Sequence, residues 1–127
     1  DLTIGANLVN QFKNNYNMIT WHDFEKVEMR VGTIIAVANF PKAHKPAYQL
    51  TIDFGPEVGI KKTSAQITKQ YKKEELLQKQ IVAVVNFPKK QIADFISECL
   101  ILGSLGDENN IVLLSSDKPV SNGLRVG

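Results

Sequence analysis

The chain has 127 residues, enough for one domain with a single hydrophobic core. Apolar residues make up 43% and charged residues 22%, which indicates a globular rather than a disordered protein. No apolar run reaches the ~20 residues of a membrane helix and no secretory signal is visible, so we expect no membrane insertion. The single cysteine, Cys99, cannot pair within the chain, which fits a reducing compartment and predicts a cytoplasmic location.

The net charge of +2 conceals an uneven distribution of charge. Residues 61–90 contain eight lysines and two acids, whereas the remainder holds seven bases and eleven acids. Cations gathered in one segment can form a positive surface that attracts polyanions. The alternative is that these lysines only solvate the surface, and charge alone does not separate the two interpretations.

Residues 1–20 are predicted to be an N-terminal extension, and residues 21–127 a single domain. The extension is polar and rich in asparagine, and a natural start at Met18 would make residues 1–17 an upstream segment. A few of its apolar residues are spaced loosely like one face of a helix: Leu8, Val9, Phe12 and Tyr16.

The first part of the domain has the alternating pattern of strands. In Val27–Val37 one face is predicted to carry Val27, Met29, Val31, Thr33, Ile35 and Val37. Gly32 within this strand indicates a bulge or a close approach of the backbone. Apolar residues alternate again in Tyr48–Phe54, and after a turn at 55–57 a third strand is predicted at Val58–Ser64.

The second part begins with the best helical candidate, Thr63–Gln78, which is broken into short pieces. Ile81–Val85 is rich in β-branched residues, a pattern typical of a strand buried on both faces. A further apolar run, Cys99–Leu102, precedes a predicted polar loop at Gly103–Asn110 and a strand at Ile111–Leu114. Short strands at regular intervals with one helical interruption predict a small, mainly β barrel.

The chain is poorly supplied with catalytic and metal-binding groups. His22 and His44 have no partner at metal-ligand spacing, and there is no glycine-rich phosphate loop. Ser64 and Ser97 have no base that can be named beside them. Cys99 lies in an apolar run, which predicts a core side chain rather than a reactive thiol. We therefore expect no catalytic residue, no metal and no cofactor.

Binding groups are more abundant. The segment Lys61–Gln66 joins two lysines, which can neutralise phosphates, to hydroxyls and an amide that can bond phosphate or base edges. Phe87 lies in the loop between two apolar strands, beside Asn86 and the pair Lys89–Lys90. It is placed either to stack on an unpaired base or to fill the core. His44, with Lys42 and Lys45, can extend the surface from another loop.

Four segments make the chain resemble the tRNA-binding domain, which occurs in stand-alone tRNA-binding proteins and in some methionyl- and phenylalanyl-tRNA synthetases. They are Phe24–Ile34, Lys61–Thr68, Val84–Pro88 and Phe95–Leu102. Together they are similar to the CsaA branch of small export-related chaperones, over residues 21–126. The resemblance implies an OB-fold, a five-stranded Greek-key barrel with short helical segments, and a homodimer formed partly by terminal extensions. It also implies no catalysis.

The resemblance implies two classes of partner, namely tRNA or structured RNA and unfolded or pre-secretory proteins. A third hypothesis is a structural appendage that docks onto an enzyme. The residues that match the family's motifs by position are Lys61, Lys62, Ser64, Gln66, Asn86, Ser97 and Glu98. Charge and loop placement add Lys42, Lys45, Lys69, Lys89 and Lys90. Phe87 stands where many relatives carry leucine, which favours an aromatic or apolar contact and leaves the ligand open.

Overall fold

A computed structural model describes residues 17–127, so the helix-like pattern predicted for residues 8–16 lies outside the described residues. The described residues form mainly strands: β1 (Met29–Asn39), β2 (Tyr48–Asp53), β3 (Ile60–Ala65), β4 (Gln80–Val84), β5 (Lys90–Ile92), β6 (Phe95–Ser97), β7 (Leu100–Ile101), β8 (Gly103–Leu105), β9 (Ile111–Leu113) and β10 (Arg125–Val126). The helices are short: α1 (Trp21–Glu25), α2 (Gly55–Val58), α3 (Lys73–Leu76) and a 3₁₀-helix (Asp107–Asn109).

The main sheet has the strand order β3-β2-β1-β4-β7, with every neighbouring pair antiparallel and β10 added to β1. Its two ends meet between β3 and the residues that precede β7. There the Glu98 amide donates to the Lys62 carbonyl at 2.7 Å, and the Thr63 hydroxyl donates to the Cys99 carbonyl at 2.8 Å. We call these contacts the closing seam. The nearly closed barrel confirms the predicted mainly β OB-fold.

Alternation in the sequence accounts for most of the core. The predicted strand at Tyr48–Phe54 is confirmed, since Tyr48, Leu50, Ile52 and Phe54 are all buried. The predicted strand at Ile81 is also confirmed as buried on both faces, because each residue from Ile81 to Val84 is buried. These two strands pack their inward side chains against Ile34, Ile67 and Leu76 in one cluster.

The predicted face of the first strand is wrong in its second half. Ile34, which was not assigned to that face, is fully buried, whereas Ile35 is 38% exposed. The pairing of β1 with β2 shifts register between Ile34 and Ala36, which places an extra residue in β1. A bulge of this kind interrupts the two-residue period, so Val37 packs on the same side as Ile34.

Three further predictions need correction. The helix predicted over Thr63–Gln78 is mostly absent, because Thr63–Ala65 belongs to β3. The rest of that segment contains α3 and a turn in which the Tyr71 amide donates to the Ile67 carbonyl. The polar loop Gly103–Asn110 begins as strand β8, because Gly103–Leu105 pairs with Ile111–Leu113. Pairing with the adjacent strand overrides local propensity in both cases. The third predicted strand is present, although it runs from Ile60 to Ala65.

The C-terminal segment is fastened to the barrel by polar contacts. The Asn122 side-chain oxygen accepts hydrogen bonds from Thr33 at 2.8 Å and from Gln80 at 3.1 Å, and Arg30 donates to the Gly123 carbonyl at 2.8 Å. These bonds hold β10 beside β1. Among the helices of residues 17–127, none is long and apolar enough to cross a membrane.

Gly32 is the position at which the barrel wall tolerates no side chain. A methyl group there would lie 2.6 Å from Ile52 Cγ2 and 2.7 Å from Phe54 Cδ1, both fully buried. The close approach predicted for this glycine is therefore confirmed.

We expect Gly32→Ala to lower the free energy of unfolding by about 1–3 kcal/mol, because the added methyl group overpacks the core. Denaturant unfolding followed by circular dichroism measures the change. Gly127→Ala is the matched control, since nothing lies within 4 Å of that position and its stability should be unchanged. Equal stability of the two variants would show that the barrel relaxes around the methyl group.

Candidate nucleic-acid interface

The predicted binding residues lie in three segments of the barrel. These segments are the β1–β2 loop (40–47), strand β3 with the turn after it, and the segment between β4 and β7 (85–99). We call them together the ligand face. OB-folds bind oligonucleotides on the surface of their second and third strands and on the two loops that flank it. The ligand face carries Lys42, Lys45, Lys61, Lys62, Ser64, Gln66, Lys69, Asn86, Phe87, Lys89, Lys90, Ser97 and Glu98.

Two contacts bring the flanking loops together. The rings of Phe40 and Phe95 pack with their centroids 5.4 Å apart, and Lys42 Nζ lies 3.2 Å from Asp94 Oδ2. Phe40 belongs to the β1–β2 loop, whereas Phe95 begins β6 in the β5–β6 hairpin. The buried Phe40 side chain thus fixes the hairpin against the first loop, and the two loops form one continuous surface.

Strand alternation divides the predicted segment Lys61–Gln66. Thr63 and Ala65 are buried, whereas Ile60 and Lys62 are exposed. Because successive side chains of a strand point to opposite faces, Lys62 and Ser64 lie on the outer surface and Lys61 projects from the other side. Lys61 and Lys62 therefore do not form one continuous basic patch, although they are adjacent in the sequence.

Phe87 is 54% exposed, so the alternative that it fills the core is wrong. Its side chain lines a cleft of about 290 Å³ between β3, the Asn86–Pro88 turn and the β5–β6 hairpin. We call it the Phe87 cleft. Its other lining residues include Ser64, Lys90, Ile92, Ser97 and Leu100. Four predicted site residues thus meet in one concave, mostly apolar site.

Two of the predicted polar residues use their side chains within the protein. The Asn86 side chain accepts from the Glu28 amide at 3.1 Å and donates to the Lys26 carbonyl at 2.6 Å. The Glu98 carboxylate accepts from the Lys62 amide at 3.0 Å. Asn86 therefore fixes the loop that presents Phe87, and Glu98 fixes β3 at the closing seam. We expect both residues to position the site rather than to contact its ligand.

The seven lysines of the ligand face differ in their partners. Three form exposed ion pairs: Lys42 with Asp94 at 3.2 Å, Lys69 with Glu108 at 3.6 Å and Lys89 with Glu98 at 3.8 Å. Surface pairs of this kind contribute only about 0–1 kcal/mol, so a phosphate can compete with the acid. The other four have no acid within 4.0 Å among residues 17–127, namely Lys45, Lys61, Lys62 and Lys90.

The lysines are spread over adjoining depressions. Lys62 and Lys89 line one of about 390 Å³ beside Glu98. Lys45, Gln66 and Lys69 line another of about 220 Å³, together with Glu108. The positive groups are therefore distributed over three depressions of the ligand face, an arrangement suited to a ligand that carries many separated negative charges.

A family model described as a putative tRNA binding domain matches residues 29–125. The chain belongs to this family. The CsaA chaperone of Bacillus anthracis is 44% identical, with a TM-score of 0.82 over 87% of this chain and 99% of that one. The CsaA chaperone of Picrophilus torridus is 51% identical, with a TM-score of 0.81 over 87% of this chain and all of the other. These similarities place the chain in the CsaA branch.

Curated relatives include much longer proteins. The methionine–tRNA ligase of Nanoarchaeum equitans is 37% identical over 115 residues, which is 90% of this chain and 14% of the ligase. The ligase of Pyrococcus horikoshii is 37% identical over 108 residues, again 14% of its length. The chain thus spans about a seventh of the curated relatives it matches.

Sequence reasoning missed several residues that shape this tRNA-binding domain. Thr63 closes the barrel, Phe40 and Asp94 join the loops, and Ile92 and Leu100 form cleft walls. The alternation of Ile60–Ala65 could have identified Thr63 as an inward residue. The contacts of Phe40 with Phe95 and of Lys42 with Asp94 join residues more than 50 positions apart, and no local pattern signals them. Within residues 17–127, no three His, Cys, Asp or Glu side chains form a metal-binding group.

Cys99 lies beneath the Phe87 cleft as a buried thiol, 6% exposed. Burial raises its pKa to about 12, although the nearby Lys61 charge acts in the opposite direction. A neutral thiol is a poor nucleophile, so the side chain acts as a small apolar wall. The prediction of a core cysteine is confirmed.

We expect the stability to carry a specific dependence on pH from this thiol. The unfolded chain loses the thiol proton near pH 9, whereas the folded chain keeps it to about pH 12. Because the folded state binds more protons in this window, the thiol's contribution to the free energy of unfolding falls as pH rises, by up to about 1.4 kcal/mol per unit. Urea unfolding of the wild type and Cys99→Ala on either side of pH 9 measures the difference in slope.

Cys99→Ala also serves as its own control, because the loss of packing shifts stability equally at every pH, whereas ionisation changes only the slope. Rapid reaction of the native thiol with a disulfide reagent at neutral pH would contradict the assigned pKa.

Proposed function

We propose that the chain binds tRNA or another structured RNA through the ligand face, as a binding module without catalytic activity. One observation carries the proposal. Lys90 lines a cleft that presents an exposed phenylalanine, Lys62 lines another depression formed by β3 and the β5–β6 hairpin, and neither lysine has an acid within 4.0 Å among residues 17–127. Both lie on the strands and loops with which OB-folds bind oligonucleotides. The membership of the chain in the tRNA-binding domain family supports the same ligand.

Electrostatics would supply most of the affinity. Each phosphate neutralised by a lysine releases condensed counterions, so the affinity of such a face falls steeply as salt increases. Lys62 on the outer surface of β3 and Lys90 at the Phe87 cleft are separated along the chain but belong to the same face. We assign the binding domain to residues 21–127. A function with tRNA implies that the protein works in the cytoplasm.

A chaperone function is the second candidate. The Phe87 cleft has mostly apolar walls, among them Ile92 and Leu100, and the similar structures from Bacillus anthracis and Picrophilus torridus are chaperones. Such a cleft can hold an apolar side chain of an unfolded or pre-secretory protein. Binding of this kind would depend weakly on salt and would show a negative heat-capacity change, which distinguishes it from RNA binding.

We also propose a homodimer that uses the terminal segments. Trp21 is 70% exposed and Val27 40% exposed, and both line a depression of about 310 Å³ with Phe24 and Val126. Helix α1 is held in place by a capping box between Thr20 and Asp23, so this apolar surface has a fixed shape. A fixed apolar surface of this kind suits a second copy of the same chain.

The first test of RNA binding replaces Lys62 and Lys90 by glutamine. Each substitution should weaken tRNA binding and lower the slope of log K against log salt by about 0.7–1, because one phosphate contact is lost. In the double variant the slope should fall by about twice as much as in either single variant. Titration of labelled tRNA at several salt concentrations gives the slope.

Lys118→Gln is the matched control, since Lys118 is exposed near Gln80, at the end of β4 opposite to the Phe87 loop. Its slope should equal that of the wild type. A full salt slope in the double variant would place the RNA site on another surface.

Sedimentation tests the homodimer. The wild type should sediment at about twice 14.2 kDa. Trp21→Ser should shift it toward the monomer because the largest exposed apolar side chain is lost, whereas Trp21→Phe, which keeps a ring, should remain dimeric. A monomeric wild type across the accessible concentrations would overturn this arrangement.

A further inference from the structure

We infer that the Phe87 cleft is a slot for one unpaired nucleobase of the bound RNA, which stacks on the Phe87 ring. The inference rests on the proposed RNA binding and adds the kind of RNA that the site selects, namely RNA with an exposed, unpaired base.

The walls of the cleft combine an exposed ring with apolar side chains. Phe87 is more than half exposed, and it lines the cleft together with side chains such as Ile92 and Leu100. Aromatic rings paired with apolar side chains commonly sandwich an extruded base. The volume of about 290 Å³ is at the low end of the range for ligand pockets, which suits one small flat group.

The floor of the cleft offers hydrogen bonds to the edge of a base. The Ser64 hydroxyl has no hydrogen-bond partner among the described residues, so it can donate or accept. Thr63 Oγ1 is 2.8 Å from the Cys99 carbonyl and 3.0 Å from Ser97 Oγ. When Thr63 donates to that carbonyl, Ser97 donates to Thr63 and keeps its lone pairs free for a base N–H.

The charge at the cleft fits a nucleotide better than an apolar side chain. Lys90 lines the cleft and has no acid within 4.0 Å among residues 17–127, so its ammonium group can contact a phosphate of the inserted nucleotide. An apolar side chain of a peptide would use the walls but neither the hydroxyls nor this cation. The nearby Cys99 thiol is neutral and does not oppose a polyanion.

The test compares two RNAs with the 127-residue chain: a hairpin with an unpaired loop and a blunt duplex of the same length. Phe87→Leu keeps an apolar side chain but removes the ring, so affinity for the hairpin should fall about 5- to 150-fold while duplex affinity stays unchanged. Phe87→Tyr keeps the ring and should bind both RNAs like the wild type. Because position 87 is exposed, folding should be unaffected, and a thermal melt checks this.

Ser64→Ala tests the hydrogen bond to the edge of the base separately from the stacking on Phe87. It should lower hairpin affinity about two- to tenfold and reduce the preference among loops of different base composition. Unchanged hairpin affinity in Phe87→Leu would overturn the slot and leave the proposed RNA binding intact. Failure of the wild type to bind either RNA would overturn both the nucleobase slot and the proposed RNA binding. An apolar peptide that displaces the hairpin equally from the wild type and Phe87→Leu would identify a side-chain pocket instead.

Discussion

The closing seam of the barrel is the constraint on which the binding site depends. Thr63 is the polar side chain that is buried in the described part of the chain, and its hydroxyl lies 2.8 Å from the Cys99 carbonyl. A buried hydroxyl without a partner would cost about 1–3 kcal/mol, so this bond and its neighbours tolerate little movement. The seam fixes β3 relative to the segment before β7. It thereby sets the relative positions of Ser64 and Ser97, which both line the cleft.

The seam also explains why an acid lies in the middle of a basic face. Glu98 reduces the positive potential beside Lys62 and Lys89, which weakens the attraction for a polyanion. Its carboxylate, however, accepts from the Lys62 amide and its own amide donates to the Lys62 carbonyl. One residue thus satisfies both backbone groups of Lys62 at the point where the sheet lacks a regular partner strand. Removal of the acid would raise the charge of the face and leave the Lys62 amide without its acceptor.

The spacing of apolar residues along the sequence predicted the strands in which that spacing is regular. The strand at Tyr48 and the doubly buried strand at Ile81 were correct because each keeps one period throughout. The predicted face of the first strand failed because Gly32 and Ile34 carry the side that points into the barrel, and the bulge at Ile35 then returns Val37 to that side. The sequence predicts a set of binding residues, but it does not predict the shape of the surface that they form. The contacts that shape it, Phe40 with Phe95 and Asn86 with Lys26, join distant parts of the chain.

The size of the cleft bears on how one surface can serve two classes of ligand. A volume of about 290 Å³ admits one base or one apolar side chain, and these occupants use the same Phe87 ring. If RNA and an unfolded protein both bind here, they must therefore compete for the cleft. The lysines do not share this limit, because they lie in separate depressions around it. RNA with an inserted base gains binding free energy from both the cleft and the lysines, whereas an apolar peptide gains it from the cleft alone. Rising salt should consequently shift the competition toward the peptide, since only the RNA loses counterion release.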